Sequence, residues 1–533
     1  MQRRAFLMSL LLVLSLAACL PALEPRQISD DGRIVYGLTL QPSGFDPHIH
    51  RSSELGIPLR QVYDTLVYRD PVTKDFVSGL AENWSISDDG LVYTFNLRQD
   101  VIFHDGTPFN AQAVAANLDR IVDPATASQR AVFMLGPYYE GYEVVDPFTI
   151  NLILSQPYSP LLDALAQVYL GIASPAALST YSNNRYQFHQ VGTGPFEFVE
   201  FIPGERIVIR RNPVYAWGPS FYDIPGENAV NEIEFRFFTD PPTRILALES
   251  GAAQIMGELL PTDARALTGN STIQLVPVSI PGQPLQFIMN TDRFPTDSRA
   301  VRQALLFGTN RNAIIDAVYQ RFSPVAWGPL AASTLFYNPE MNNLYAFNPG
   351  QAEALLDTSG FRDNNNDGYR DIGGVEVAVD VVVPPWGLTP QVAELMQDQF
   401  RTIGIRANLL PVPTLSAMLD IIESGEYNLV AFNTAGLDSA FLNEFYASDG
   451  SNNWSNYTSD ELDNLLQEAI RRTDAEARLR LYAEVQRDIM SEALILPIRD
   501  YVNLNAVTSG LTLEFDAYGW FPILNNLQIA PGG

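Results

Sequence analysis

The segment from Leu80 to Val114 constrains the fold of this chain more than any other stretch. Apolar residues alternate with polar ones on both sides of Asp88-Asp89-Gly90, which is the period of two half-buried strands. An Asp-Gly pair between two such runs is a strong signal for a hairpin turn. A second turn at His104-Asp105-Gly106 leads to Thr107-Pro108, which opens a helix from about Asn110. The pattern predicts a hairpin, a turn and a helix, and its spacing alone fits any α/β protein.

The order of the residues in this segment is more specific than their spacing. The segment contains Leu-Ala-x-x-Trp, Ser-x-Asp-Gly, Tyr-x-Phe-x-Leu-Arg and Phe-His-Asp-Gly-x-Pro-Phe, in that order. In this order the motifs resemble the signature of the bacterial extracellular solute-binding proteins of family 5, the dipeptide-, oligopeptide- and nickel-binding receptors of ABC importers. Gly192–Phe196, the helix within Asp297–Ile315 and Asn453–Tyr457 resemble further motifs of the family. Asn310 departs from them, because the family has an aspartate there.

The resemblance covers nearly all of residues 31–510. It implies an α/β fold of two lobes, the periplasmic-binding-protein fold, with mixed sheets, flanking helices and a hinge of two chain crossings. We expect the first lobe to hold residues 28–280 and 501–533, with an extra subdomain at about 55–188, and the second lobe to hold 281–500. From the residues themselves, the strand–helix–strand alternation after residue 232 predicts a mostly parallel sheet with helices on both faces.

The first nineteen residues have the features of an export signal. Arg3 and Arg4 precede an apolar run, and small residues precede Cys19, the one cysteine of the chain. This arrangement resembles a bacterial lipoprotein box, so we expect residues 1–19 to be a lipoprotein signal peptide with lipid attached at Cys19. An ordinary signal peptide and a membrane-anchoring helix are the alternatives, although the run is short for a spanning helix. Both Sec and twin-arginine export remain open.

The expected location follows from this signal. Residues 20–29 would form a tether, and the folded body would lie outside the cytoplasmic membrane, in the periplasmic space or at the cell surface. The net charge of −28, with a single lysine, excludes nucleic acid as a partner, because phosphate contacts need clustered lysine and arginine. The body is expected to be a monomer.

The chain lacks the common motifs of enzymes. It has no Gly-x-Ser-x-Gly and no His-Glu-x-x-His, and its cysteine lies in the export signal. We therefore expect a binding protein and not an enzyme, with a secreted hydrolase as the alternative.

Ligands of open α/β sheets bind beyond the carboxyl ends of strands, where loops converge. Three strand exits qualify, at 41–48, 384–387 and 433–438. The predicted ligand-binding residues are Phe45, His48, Trp386, Asn433, Thr434, Gly436 and Asp438. Phe45 and Trp386 would supply apolar walls, and Asp438 would supply a charge for an amine.

The resemblance makes this site more specific and leaves a question open. Peptide-binding members of the family hold the ligand α-amine with an aspartate just after the strand that corresponds to 428–432. That position falls near Gly436 here, and Asp438 is close to it. Either the anchor has shifted to Asp438 or the ligand has no α-amine.

Metal binding has little support in the residues. His48 and His50 are two residues apart with no third ligand nearby in the sequence, which is a weak signal for a metal pair. Asp363–Asp371 resembles a calcium loop, but Gly374 stands at the twelfth position, where a bidentate glutamate is required. We interpret this loop as a solvated turn, and we expect no metal or cofactor.

Together these observations predict a substrate-binding lipoprotein of an ABC importer. It would capture a short peptide in a cleft between the lobes and deliver it to a membrane permease and its ATPase. A ligand that contacts both lobes would favour the closed arrangement. The peptide is inferred from the frequency of peptide binders in the family. The alternatives are another solute, such as an oligosaccharide or a nickel chelate, and a sensing receptor without transport.

Overall fold

The computed structural model describes residues 32–226 and 229–530 of the 533-residue chain. The predicted signal peptide, its lipid attachment site Cys19 and the tether at 20–29 lie outside the described residues. Within the described ranges, no helix combines the length and the apolar composition that a membrane crossing requires.

Strands and helices alternate along the described chain. The strands are β1 (Arg33–Leu38), β2 (Val67–Arg69), β3 (Phe76–Ser78), β4 (Ala81–Ile86), β5 (Val92–Leu97), β6 (Tyr139–Asp146), β7 (Thr149–Leu154), β8 (Phe196–Ile202), β9 (Arg206–Arg211), β10 (Glu232–Phe237), β11 (Ile255–Met256), β12 (Ile273–Ser279), β13 (Gly282–Met289), β14 (Asp371–Ile372), β15 (Val375–Glu376), β16 (Ala378–Val383), β17 (Arg406–Pro411), β18 (Leu429–Ala435), β19 (Ile495–Arg499) and β20 (Val502–Thr508).

The α-helices are α1 (Ser53–Val62), α2 (Ala111–Val122), α3 (Arg130–Leu135), α4 (Leu161–Leu165), α5 (Pro175–Thr180), α6 (Asn183–Tyr186), α7 (Pro241–Glu249), α8 (Pro261–Leu267), α9 (Arg299–Gly308), α10 (Arg311–Tyr319), α11 (Pro349–Thr358), α12 (Thr389–Thr402), α13 (Leu415–Ser424), α14 (Leu442–Tyr446), α15 (Asp460–Arg471) and α16 (Ala475–Ser491). Short 3₁₀ helices lie at Pro124–Thr126, Val168–Leu170, Pro339–Met341, Ser439–Phe441 and Leu524–Asn526.

The hairpin, turn and helix predicted for Leu80 to Val114 are all present. β4 pairs antiparallel with β5, and Gly90 in the turn has a φ of +73°, which glycine adopts without strain. Asn110 caps α2, because its side-chain oxygen accepts a hydrogen bond from the backbone N–H of Ala113 at 3.0 Å. The local sequence therefore determines this part of the structure.

Two large sheets divide the chain into two lobes. The first-lobe sheet has seven strands in the order β12-β20-β11-β1-β10-β9-β8, and the second-lobe sheet has five in the order β17-β16-β18-β13-β19. The chain passes between the sheets twice, from β12 to β13 and from β19 to β20. A separate four-stranded sheet, β4-β5-β7-β6, lies in the extra subdomain of the first lobe. The fold is thus two-lobed, with mixed sheets and a hinge of two crossings.

The prediction of a mostly parallel sheet is wrong for the first lobe. There β1 pairs parallel with β10 and β11, while β8 with β9, β9 with β10, β11 with β20 and β12 with β20 are antiparallel. Two of these antiparallel pairs arise because β20, from the far end of the chain, inserts between β11 and β12, and the other two arise because β8, β9 and β10 are successive antiparallel strands. Local strand–helix alternation says which segments are strands, but it does not say which strands become neighbours.

Separate apolar cores support the two lobes. The second-lobe core extends from Leu285 to Ile498, and the first-lobe sheet carries a core on each face. The first crossing depends on Gly282, whose φ is +138°. A Cβ at this position would lie 2.1 Å from the carbonyl oxygen of Thr434, so only glycine fits.

Candidate ligand-binding site between the lobes

The two lobes contact each other at several places besides the two crossings. The backbone N–H of Ser159 in the first lobe donates to the carbonyl of Ile470 in the second, at 2.7 Å. The guanidinium of Arg265 in the first lobe lies over the ring of Phe322 in the second, 5.0 Å from its centroid. Leu437, which follows β18, is fully buried in the first-lobe core. The structure therefore shows the lobes closed on each other.

Phe45 and His48, the predicted ligand-binding residues of the loop at 41–48 in the first lobe, are both completely buried. Phe45 packs against Phe201 with ring centroids 5.2 Å apart. The Nε2–H of His48 donates to the carbonyl of Gly171 at 2.9 Å, and its Nδ1 lies 2.8 Å from the Arg120 guanidinium. Burial and the charge of Arg120 lower the pKa of His48 to about 4, so its imidazole is neutral. Both ring nitrogens are occupied, which leaves neither of them free for a metal.

The predicted residues of the second lobe lie together at the carboxyl end of its sheet. The ring of Trp386 meets that of Phe432 edge-on, with centroids 6.1 Å apart. Asn433 and Thr434 are half-buried near the C-terminal end of β18, next to the first crossing. The backbone N–H of Gly436 donates to the carbonyl of Pro281 at 3.0 Å. Asn433, Thr434 and Gly436 therefore lie where the second lobe meets the hinge.

Asp438 is engaged by protein groups. Its two carboxylate oxygens each accept a hydrogen bond of 2.7 Å from the guanidinium of Arg478, and one also accepts from the backbone N–H of Ala440. The Asp438 residue is 7% exposed and Arg478 is 6% exposed. Burial alone would raise the pKa of Asp438, but the pairing with Arg478 outweighs it, and the pKa lies below its usual value.

The structure also reveals polar side chains that the sequence did not indicate. Gln283 follows the first crossing, is 2% exposed, and forms no hydrogen bond with either amide atom. Asn443 on α14 likewise has both side-chain atoms buried and unpaired, and the indole N–H of Trp520 is buried without an acceptor. Buried polar atoms without partners within the chain are costly, so these atoms are candidates for contact with a water molecule or a solute. The one signal that could have drawn attention to Gln283 is its place directly after Pro281-Gly282, a turn pair between two apolar runs.

A further group of polar side chains lies on the first lobe beside the second crossing. It consists of Thr39, Glu54, Glu258 and Tyr501, and we call it the Glu54–Glu258 cluster. The hydroxyl of Thr39 is within hydrogen-bonding distance of both carboxyl groups, and the hydroxyl of Tyr501 donates to Glu258 at 3.2 Å. These residues come from four separate parts of the chain, which is why no local motif marks them.

The loop at 363–371 uses its acidic side chains to bind its own backbone. The carboxylate of Asp363 accepts from the N–H groups of Asp367 and Gly368, at 3.2 and 3.0 Å. Asp371 accepts from the backbone and the side chain of Asn364. This is the geometry of a turn. Across the described residues, no group of three or more His, Cys, Asp or Glu side chains is arranged to hold a metal ion.

Comparisons with known proteins place this geometry in context. The sequence model of the bacterial extracellular solute-binding proteins, family 5 (Middle), matches residues 75–456. The glutathione-binding protein GsiB of Escherichia coli O1:K1 / APEC is 28% identical over 438 residues, which cover 79% of each chain.

Solved structures share the fold. NikA from Brucella suis, in complex with Fe(III)-EDTA, superposes with a TM-score of 0.82 at 23% identity, over 93% of this chain and 99% of that one. DppA from Helicobacter pylori, an ABC transporter-associated periplasmic binding protein in complex with the peptide STSA, superposes with a TM-score of 0.75 at 23% identity, over 94% of this chain and 98% of that one. The predicted two-lobed periplasmic-binding-protein fold is confirmed.

Proposed function

Because the chain belongs to the bacterial extracellular solute-binding proteins of family 5, we propose that it captures a short peptide between its lobes and delivers it to the permease of an ABC importer. Membership of a family of binding proteins agrees with the prediction that the chain is not an enzyme.

One observation supports the proposal most directly: Gln283 beside the first crossing and Trp520 against Tyr501 at the second carry buried polar atoms without partners. Gln283 and Asn443 offer two amide groups without partners, and the indole of Trp520 adds a donor. An amide side chain both donates and accepts, which is what recognition of a peptide backbone requires. A solute that pairs with these atoms while the lobes are closed would stabilise the closed arrangement.

The choice of a peptide rests on the relatives. GsiB, the similar protein from Escherichia coli, is named for glutathione, which is itself a modified tripeptide. The predicted residues Trp386, Asn433, Thr434 and Gly436 lie at the second-lobe side of the same boundary and remain proposed ligand contacts. Phe45 and His48 would act indirectly, because both are packed inside the first lobe.

The attachment to the membrane is part of the same proposal. Cys19 would carry the lipid after cleavage of residues 1–18, and residues 20–29 would tether a monomeric body at the outer side of the cytoplasmic membrane. Replacing Cys19 with serine should move the protein from the detergent phase to the aqueous phase in Triton X-114 partitioning. If the C19S protein stays with the detergent, the lipid anchor is wrong.

The test of peptide capture has two steps. Protein purified without denaturation is examined by native mass spectrometry for retained solutes, and the emptied protein is then followed by small-angle scattering while peptides are added. We expect retained short peptides and a smaller radius of gyration at saturation. Thr434→Arg places a large cation at the end of β18, and it should abolish both peptide retention and the decrease in radius. The control Thr402→Arg, at an exposed position of α12, should change neither. A radius that no retained or added peptide changes would contradict the proposal.

A further inference from the structure

The Glu54–Glu258 cluster is an acidic site on the first lobe that no family motif marks. Glu54 opens α1 and is 2% exposed, and Glu258 follows β11 and is half-buried. Thr39 bridges the two carboxyl groups at the end of β1, with 3.3 Å between its hydroxyl and Glu54. Two carboxyl groups that share one hydroxyl concentrate carboxyl oxygens where the first lobe meets the hinge.

The cluster has acceptors in excess of its donors. Oε2 of Glu54 is buried and accepts no hydrogen bond. The two Glu258 oxygens accept one hydroxyl each, from Thr39 and Tyr501, although a carboxylate oxygen has room for more. A group that brought several N–H donors would therefore find partners already in position.

A second, independent observation comes from β20. Asn503 and Asn505 are two residues apart and so project from the same face of the sheet. Asn503 accepts the backbone N–H of Glu258 at 2.9 Å, whereas Oδ1 of Asn505 accepts nothing, although the residue is 1% exposed. That oxygen lies 3.0 Å from where a Cβ on Gly257 would stand, immediately before Glu258. Another unpaired acceptor thus faces the backbone at this site.

The cations close to the cluster do not neutralise it through ion pairs. The Arg244 guanidinium donates to the backbone carbonyls of Phe238 and Glu258, at 3.0 and 2.7 Å. Arg499 lies over the ring of Tyr501, 4.5 Å from its centroid, and donates to the hydroxyl of Ser323. Arg244 therefore fixes the backbone of the site and leaves its carboxyl groups to another partner.

Glu258 is held in position before any ligand arrives. Its φ is +48°, in the left-handed region that a glutamate seldom adopts. Two hydrogen bonds maintain this backbone conformation: the N–H of Glu258 donates to the side chain of Asn503, and the guanidinium of Arg244 donates to the carbonyl of Glu258. A charge that is already positioned loses little conformational freedom on binding.

In the segment 433–438, at the end of β18, no acid of the second lobe is free to do the same work. The segment 433–437 contains no acidic residue, and both oxygens of Asp438 are bound by Arg478. We propose that Glu258 and Glu54 form a subsite on the first lobe for a protonated primary amine of the solute, namely the α-amine of a short peptide. This inference rests on the proposed function, because it names the part of the peptide that the first lobe binds.

An ammonium group suits this subsite chemically. It carries three N–H donors and one positive charge, which match the free lone pairs of Glu258 and the unpaired oxygen of Glu54. The side chain of Glu54 is shielded in the closed structure, so Glu258 would make the direct contact and Glu54 would add a second carboxyl group behind it.

The experiment compares free and blocked amines on the full chain. The emptied protein is exposed to a mixture of tripeptides, each present with a free and with an acetylated N-terminus, and the retained species are counted by native mass spectrometry. We expect wild type to retain the free form at least about tenfold better, since truncating one partner of a buried charged pair has an effect of that order. Glu258→Gln should reduce this preference severalfold, and Glu54→Gln should reduce it less.

Controls separate the possible failures. Glu249→Gln, at an exposed acid of α7, should keep the full preference, and thermal unfolding of each variant reports whether it folds. Equal retention of free and acetylated peptides by wild type, or an unchanged preference in both Glu258→Gln and Glu54→Gln, would overturn the subsite and leave peptide capture standing. Retention of acetylated peptides only when they contain lysine would contradict the α-amine assignment. If wild type retains no peptide of either kind, both the proposed function and the subsite are wrong.

Discussion

The buried ion pair of Asp438 and Arg478 allows a test of whether Asp438 binds the ligand or stabilises the fold. The sequence suggested that Asp438 anchors a ligand amine, whereas the structure shows both of its oxygens bound to Arg478 at 2.7 Å. The variant Asp438→Asn keeps the shape of the side chain and removes its charge. If the carboxylate serves mainly to pair Arg478, this variant should lose stability before it loses affinity.

The size of the effect follows from burial. Removing one partner of a buried ion pair leaves the other charge without compensation, which costs about 3–5 kcal/mol. The cationic face of Arg478 also lies 4.7 Å from the ring of Phe336, and this contact remains in the variant. Part of the cost involves the first lobe, because Arg69 also attracts Asp438 while it pairs with Asp163 at 3.0 Å. We therefore expect Asp438→Asn to lower the free energy of unfolding by about 3 kcal/mol.

Urea unfolding, followed by circular dichroism and tryptophan fluorescence, measures this loss. The matched control is Asp316→Asn, which breaks the pair with Arg321, whose side chains are 50% and 76% exposed. That change should leave the free energy of unfolding almost unchanged, because an exposed ion pair contributes little to stability. The double variant Asp438→Asn, Arg478→Met should recover most of the loss, because no buried charge is left unpaired.

Acid should weaken the same pair. Because the pKa of Asp438 is lowered in the folded protein, its contribution to stability is present above its unfolded pKa of about 4 and disappears as the pH falls through the folded value. If Asp438→Asn is as stable as wild type but binds peptide far more weakly, Asp438 is a ligand anchor, and the reasoning from the ion pair is refuted.

Three further predictions follow from other contacts. Gly282→Ala should destabilise the protein by more than about 2 kcal/mol, because the new Cβ would clash with Thr434 and Ala435. The control Gly425→Ala has open space around it and a φ of +71°, so it should cost only about 1 kcal/mol of backbone strain. Equal melting temperatures for the two variants would contradict the clash. Leu437→Ala removes a second-lobe side chain from the first-lobe core, so it should weaken the closure of the lobes. We expect a larger radius of gyration than that of wild type at saturating peptide. An unchanged radius would show that this contact does not hold the lobes together. Burial and the charge of Glu258 raise the pKa of Glu54 from 4.5 to about 8, although Thr39 and Arg244 oppose the shift. Wild type should therefore lose stability as the pH rises from 5 to 8, and Glu54→Gln should lose less. Urea midpoints that change in parallel with pH in the two proteins would disprove this.

The sequence predicts the fold of this protein better than it predicts the binding site. The segment from Leu80 to Val114 predicted its hairpin, turn and helix correctly, because alternation, an Asp-Gly turn and the cap at Asn110 act over a few residues. The same segment resembled the family whose model matches the chain, and with the family came the two-lobed fold. Local signals and a long motif were enough for both conclusions.

Strand order was decided by tertiary structure. β20 lies between β11 and β12 although more than two hundred residues separate it from them in the chain. The sequence identifies a strand by its local pattern, whereas the neighbour of that strand is chosen by which apolar faces pack together. The prediction of a parallel sheet was wrong in part for this reason.

The site depended on tertiary structure in the same way. The chemical role of Asp438 changes because Arg478, forty residues later, turns its guanidinium onto it. Glu54 and Glu258 become neighbours only because α1 and the end of β11 meet beside β1. The sequence by itself determined the family, the local elements and the region of the hinge, since these are written in contiguous residues. Which charges are paired and which remain available was decided by the folded chain, because a charge acquires its partner and its degree of burial from residues that are distant in sequence.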